Sequence, residues 1–247
     1  MTRAAPLRTP CLARPPDATA RLRLFCFHHA GGAASAFAGW QEALGPDVSV
    51  VPVQLPGREA RIREPRARDL GTLVADLSDE LDPWLTGPHA YYGHSMGALL
   101  AYRLAVARAR AGRPGPDRLL AGAFPAPHLP RAVVPAAELP DDDLVAWMTR
   151  IGGMSPALLE YPQWLAAMTA IVRDDLALCR SHRPDRPVPL DCPIDVFTGT
   201  TDPLVSRGDA AAWGVHTRAA CRVHPVPGGH FFPRETFLPR LAAALAA

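Results

Sequence analysis

No stretch of this 247-residue chain approaches the roughly 20 apolar residues that a membrane-spanning helix needs, so no membrane is expected among its partners. Excess charge of one sign is also missing. Lysine plus arginine total 26 against 24 aspartates and glutamates, a net charge of +2, which leaves no basic field of the kind that holds nucleic acid. Cysteine is sparse. Cys11, Cys26, Cys179, Cys192 and Cys221 are odd in number and scattered, with no C-x-x-C and no Cys/His metal spacing. Reduced thiols in a cytoplasmic protein are the simple reading, and no metal site is expected. The opening "MTRAAPLRTPCLARPPDATA" holds arginines and prolines but no apolar core, so it does not read as a signal peptide. Residues 1–20 are expected to be a flexible tail. There are no internal repeats.

What is present is the composition of a packed domain. A hydrophobic content of 48% with 20% charged residues excludes disorder, and the length suits one sizeable α/β domain with an insertion over 21–247. The basic charge lies in arginine rather than lysine, and alanine and proline are abundant, which reads as coding bias rather than function.

Six short apolar runs read as strands: 22–27, 48–55, 90–92, 118–124, 193–199 and 221–226. Helical patterns over about 35–44, 69–85, 96–111, 205–214 and 233–246 alternate with them. That alternation predicts a mostly parallel sheet covered by helices on both faces. One region breaks it. Residues 125–190 hold no convincing strand but two helical patterns, 140–151 and 161–182, bracketed by prolines 125, 127, 130, 135 and 140 before and 184, 187 and 189 after. A long helical insert in a compact domain is expected to be a lid, with a plain helical subdomain as the other reading.

The stretch "YYGHSMGALL" places Ser95 between Gly93 and Gly97, after a strand and before a helix. This is G-x-S-x-G, the nucleophile elbow. The serine takes strained angles at the tip of a sharp turn, and side chains two positions either side would collide with the neighbouring backbone. The helix that starts at Met96 aims its free N–H groups and positive dipole end at the site, so the Met96 N–H is a natural oxyanion donor.

A serine hydroxyl needs a base. Of nine histidines, His230 in "VPGGHFFP" follows the last strand, with Gly228 and Gly229 free to carry it back over the sheet. His28, His29, His89, His94, His128, His182, His216 and His224 fit surface or core roles, and His94 is expected to point away from the serine. The orienting acid should fall between Ser95 and His230 in the chain. Asp202 sits at the C-terminal end of a strand, where open α/β sheets place ligands; helix capping is its other reading. Asp195 lies inside the strand, and Asp174 and Asp175 belong to the insert. A second oxyanion donor is expected from "HHAGGAASAF" after the first strand, at the Ala30 N–H with Gly31 next.

Together, "LFCFHHAGGAASAFAGW", "VQLPGRE", "YYGHSMGALLAYRLA", "CPIDVFTGTTDPL" and "PGGHFF" resemble the type II thioesterases. These are discrete α/β-hydrolases that accompany polyketide and nonribosomal peptide assembly lines. The resemblance runs from about residue 22 to 240. It implies Ser95 as nucleophile, His230 as base, Asp202 as acid, Ala30 and Met96 as oxyanion donors, and 125–190 as a mobile lid. It implies hydrolysis of acyl groups from the phosphopantetheine arm of a carrier protein, in editing or release, without a cofactor. The chain departs from the family in three places. His28-His29 stands where proline plus an aromatic or histidine is usual. Arg173-Asp174-Asp175-Leu176 stands where Arg-Ala-Asp and an aromatic are usual, and "CRSH" replaces a common tyrosine. Arg58, Arg61 and Arg63 in "GREARIREPRAR" are candidate docking residues for an acidic carrier protein, against a solvated charged stretch. Nothing demands more than a monomer. A small-molecule esterase, a chain-releasing cyclase, or an inactive fold that only binds acyl chains or a carrier protein are the alternatives.

Overall fold

The computed structural model describes residues 11–129, 136–154, 156–184 and 186–247. Six strands, β1 (Leu22–Phe27), β2 (Val48–Pro52), β3 (His89–His94), β4 (Arg118–Gly122), β5 (Ile194–Gly199) and β6 (Cys221–Val226), form one sheet in the order β2-β1-β3-β4-β5-β6. Every pairing is parallel, with Phe27 beside Gly93 and His94 beside Gly122 at the C-terminal edge. Because β2 lies on one side of β1 and β3 on the other, the chain changes direction across the sheet between them. The loops leaving β1 and β3 therefore flank a crevice at the edge where such sheets bind ligands.

The described residues form seven α-helices: α1 (Trp40–Leu44), α2 (Leu70–Leu81), α3 (Met96–Arg110), α4 (Asp141–Arg150), α5 (Pro162–Ser181), α6 (Arg207–Ala211) and α7 (Arg234–Ala246). The two-residue period of the strands sorts their side chains. Phe25, Phe27 and Tyr91 join the core under α2 and α3, whereas Leu24, Cys26 and Tyr92 join the core under α1 and α7. Burial on both faces is why these strands read as apolar runs rather than alternations.

Element ends shift for local reasons. The helix expected over 35–44 is split by Gly39, whose φ is 74°. The aspartates 141–143 do not cap α4: Pro140 holds the cap position and all three sit in the first turn, where they face the positive end of the helix dipole. The tail also differs from expectation. Residues 1–10 lie outside the described part, but from Cys11 onward the chain is docked. Cys11 is fully buried, its carbonyl accepts from the Gln54 N–H at 2.7 Å, and Leu12 forms an antiparallel bridge with Val53. The chain there pairs with the run-out of an edge strand that would otherwise present open backbone groups.

The insert between β4 and β5 is helical, as its pattern predicts; its Pro130 and Pro135 lie outside the described residues. Helices α4 and α5 enclose a small core of their own, with Leu144, Met148, Met154, Val172 and Leu176 buried together. No helix among the described residues is long and apolar enough to cross a membrane.

Candidate active site

Ser95 follows β3 and caps α3 with φ 52° and ψ −117°, a strained conformation for a residue with a side chain. Glycine is required on both sides. A Cβ on Gly93 would run into the carbonyl of Gly97, and one on Gly97 would run into the carbonyl of Phe27. The elbow is therefore wedged against the end of β1, and Ser95 stands above the sheet at the head of α3.

The Oγ of Ser95 lies 3.0 Å from Nε2 of His230, and Nδ1 of His230 lies 2.9 Å from Oδ2 of Asp202. A carboxylate only accepts, so it holds the imidazole proton on Nδ1 and leaves Nε2 to accept from the serine. The carboxylate of Asp202 is fully buried, and its other oxygen accepts from the Leu204 N–H at 2.8 Å. Helix capping is not its task, because α6 is capped by a reciprocal Ser206–Asp209 box. Asp195 is already committed within the sheet to Arg118 and His224, each at 2.6 Å. Of the glycine pair before His230, only Gly228 takes a positive φ, at 119°, and a Cβ on Gly229 would meet nothing within 4 Å. The close approach comes from the opposite side, where a Cβ on Gly199 would run into the carbonyl of Gly229.

His94 points away from the serine, as expected, and it holds the loop of the base. Its Nε2–H donates to the His230 carbonyl at 3.0 Å, and its Nδ1 accepts from the Tyr92 hydroxyl at 3.2 Å. Burial holds His94 well below the usual imidazole range. Burial, with the charges of His230 and Arg58 adding, pushes His29 down to about 4. Both rings therefore stay neutral beside His230. Phe231 packs between them, with ring centroids 4.9 Å from His29 and 5.4 Å from His94.

The two oxyanion candidates lie next to this site in different ways. Ala30 borders the cavity that contains Ser95 and His230, and Met96 is the first residue of α3. Gly31 is not a donor to that space, because its N–H donates to Oδ2 of Asp175 at 2.8 Å. The cavity is roofed by Trp147, Met148, Ile151, Val172 and Leu176 of the insert, and its volume is about 30 Å³. That holds one or two waters and no acyl chain.

The docking candidates do not sit together on a rim. Arg58 is buried and makes a two-pronged ion pair with Asp175, both contacts at 2.8 Å. Arg61 is largely buried and pairs with Glu64 at 2.6 Å and Glu80 at 3.6 Å. Only Arg63 of the three is exposed. Composition made the stretch read as solvated or docking, but the insert returns to it and uses its charges. The departures from the family pattern have places in this clasp. Arg173 donates to the carbonyls of Ala137 and Leu139, Asp174 pairs with Arg66 at 2.6 Å, and Leu176 lines the cavity. In "CRSH", the Ser181 hydroxyl accepts from the N–H of Leu70 at the start of α2, and His182 donates to the Pro127 carbonyl.

A parallel sheet with a strained serine at the end of its third strand, faced by an imidazole and a buried carboxylate from the last two strand ends, defines an α/β-hydrolase. Within that class the chain belongs to the thioesterase domain family, whose model matches residues 22–246. It is 39% identical to RedJ, a thioesterase from the prodiginine biosynthetic pathway of Streptomyces coelicolor; the match covers 98% of this chain and 95% of that one, with a TM-score of 0.84. BorB, the type II thioesterase of the borrelidin biosynthetic cluster, is 33% identical over 94% of each chain, with a TM-score of 0.83. The gramicidin S biosynthesis protein GrsT of Aneurinibacillus migulanus is 32% identical, over 89% of this chain and 86% of its own.

Proposed function

We propose that this protein is a serine thioesterase that removes acyl groups from the phosphopantetheine arm of an acyl or peptidyl carrier protein, in editing or release. The observation that carries the reading is the unbroken line Ser95–His230–Asp202 beneath an apolar roof, in a chain of the thioesterase family. The pathways named for RedJ, BorB and GrsT support an assembly-line partner.

His230 takes the Ser95 proton as Oγ attacks the thioester carbonyl, while Asp202 holds the imidazole in the required tautomer. The N–H groups of Ala30 and Met96 receive the oxyanion, each worth about 3 kcal/mol of transition-state stabilisation. The thiol leaves with the proton from His230. Water, deprotonated by His230, then attacks the acyl-serine and regenerates the enzyme. This chemistry uses the chain's own groups, with no metal or cofactor. A 30 Å³ cavity cannot admit an acyl group, so the insert acts as a lid that shifts to take the substrate. We place the enzyme in the cytoplasm as a monomer, with exposed Arg63 as its remaining docking cation.

A fluorophosphonate probe tests the serine. It is expected to add one adduct to the wild type, mapped to Ser95, and none to Ser95→Ala. Equal labelling of both would remove Ser95 from the reading.

A further inference from the structure

We propose that Asp175 of the lid helix is a positioning residue for the oxyanion-binding loop, so that the hole is complete only while the lid helix is seated. The proposal rests on the serine-thioesterase reading of the site.

The loop after β1 is held from the insert. Two adjacent residues of it are fixed by one ion pair: the Gly31 N–H donates to Oδ2 of Asp175 at 2.8 Å, and the Gly32 carbonyl accepts from Nη1 of Arg58 at 3.1 Å. Asp175 and Arg58 complete the frame with two contacts of 2.8 Å, and both are almost fully buried. Gly31 needs this frame. Its φ is 81°, and a Cβ there would lie 2.5 Å from Cγ2 of Val172, so the lid helix rests directly on the loop backbone. Within the loop itself the His29 carbonyl accepts from the Gly32 N–H at 3.0 Å and from Nδ1–H of His28 at 2.9 Å.

The geometry has a chemical consequence. The Gly31 N–H and the Ala30 N–H belong to consecutive peptide units, so rotating one swings the other. Asp175 takes the first and thereby sets the second, whose residue lines the cavity that holds Ser95 and His230. Val172 and Leu176, which flank Asp175 on α5, roof the cavity. One helix thus both covers the acyl group and aligns the donor for its oxyanion. Lifting the helix to admit substrate releases the loop, and reseating it restores the donor. A buried ion pair is not a sound stability device, since apolar replacements of similar size are often as stable. Its value here is in position.

The test uses full-length protein and two variants. Asp175→Asn removes the charge that holds Arg58. The pair Arg58→Met with Asp175→Leu removes both charges and the Gly31 acceptor, and is the decisive variant if the single one folds poorly. Each is assayed on an acylated carrier protein, against a trifluoromethyl ketone analogue of the acyl-pantetheine thioester, and across pH. Expected are a kcat loss of roughly 10- to 100-fold with KM within about twofold, and an equal loss of analogue affinity. The pH profile of kcat/KM should keep its shape. Unchanged kcat and analogue affinity in the folded double variant would overturn the proposal, as would a raised KM with kcat retained. Ser95→Ala separates the two readings: if wild type and Ser95→Ala release acyl groups equally, the thioesterase site is wrong, whatever Asp175 does.

Discussion

The Nε2–H of His94 donates to the main-chain carbonyl of His230 at 3.0 Å, so the residue before the nucleophile holds the residue that activates it. Replacing His94 with phenylalanine keeps the ring contacts and removes the donor. The expected outcome is a kcat loss of about 10-fold with little change in KM, since a small shift of the base is costly. The buried carbonyl left unpaired should lower stability by about 1–3 kcal/mol in urea. His94→Gln, which can still donate, should recover part of both. A phenylalanine variant with wild-type kcat would show that the loop holds itself.

Glycines in this protein are not equal. Gly97→Ala puts a methyl into the Phe27 carbonyl and should cost about 3 kcal/mol or more, or prevent folding. Gly229→Ala meets nothing within 4 Å and should shift stability by about 1 kcal/mol or less. Thermal unfolding of the two variants separates them, and similar midpoints would contradict the packing at the elbow.

How much of this was legible in the sequence depended on distance along the chain. The elbow is local, and its glycines exclude side chains for reasons visible in five residues. His230 and Asp202 were legible through chain order and strand ends. The Arg58–Asp175 pair spans 117 residues, and nothing in either segment names the other. An arginine-rich stretch reads as surface because composition carries no partner, yet Arg58 and Arg61 are buried by acids from the insert and from α2. The docked segment at Cys11 was missed for the same reason: an edge that needs covering does not appear in the residues that cover it.

Reversing the two arginines one at a time should give different phenotypes. Arg61→Glu sets a negative charge beside Glu64 and Glu80 and should lower the melting temperature, with a loss of about 1–3 kcal/mol. Arg63→Glu is exposed and should leave the melting temperature alone while raising KM for a carrier protein. An unchanged KM would move the docking surface elsewhere.

Stability should fall in mild acid. Burial holds His28 and His94 well below the usual imidazole range, and pushes His29 and His216 down to about 4. In the unfolded chain these groups titrate near about 6.5. Between those values the unfolded state binds more protons, so stability is full above about pH 6.5 and is lost progressively as pH falls toward 4. Urea midpoints from pH 7.5 to 4.5 check this. A flat profile would mean that the rings are charged in the folded protein.

The central claim is that Ser95 attacks a carrier-bound thioester. A carrier protein loaded with a short acyl group, incubated with wild type or Ser95→Ala and followed by intact mass, tests it directly. The account predicts loss of the acyl mass with wild type alone, the carrier returning to its free-thiol mass. An acylated carrier left intact by wild-type enzyme that still hydrolyses an oxygen ester would contradict it.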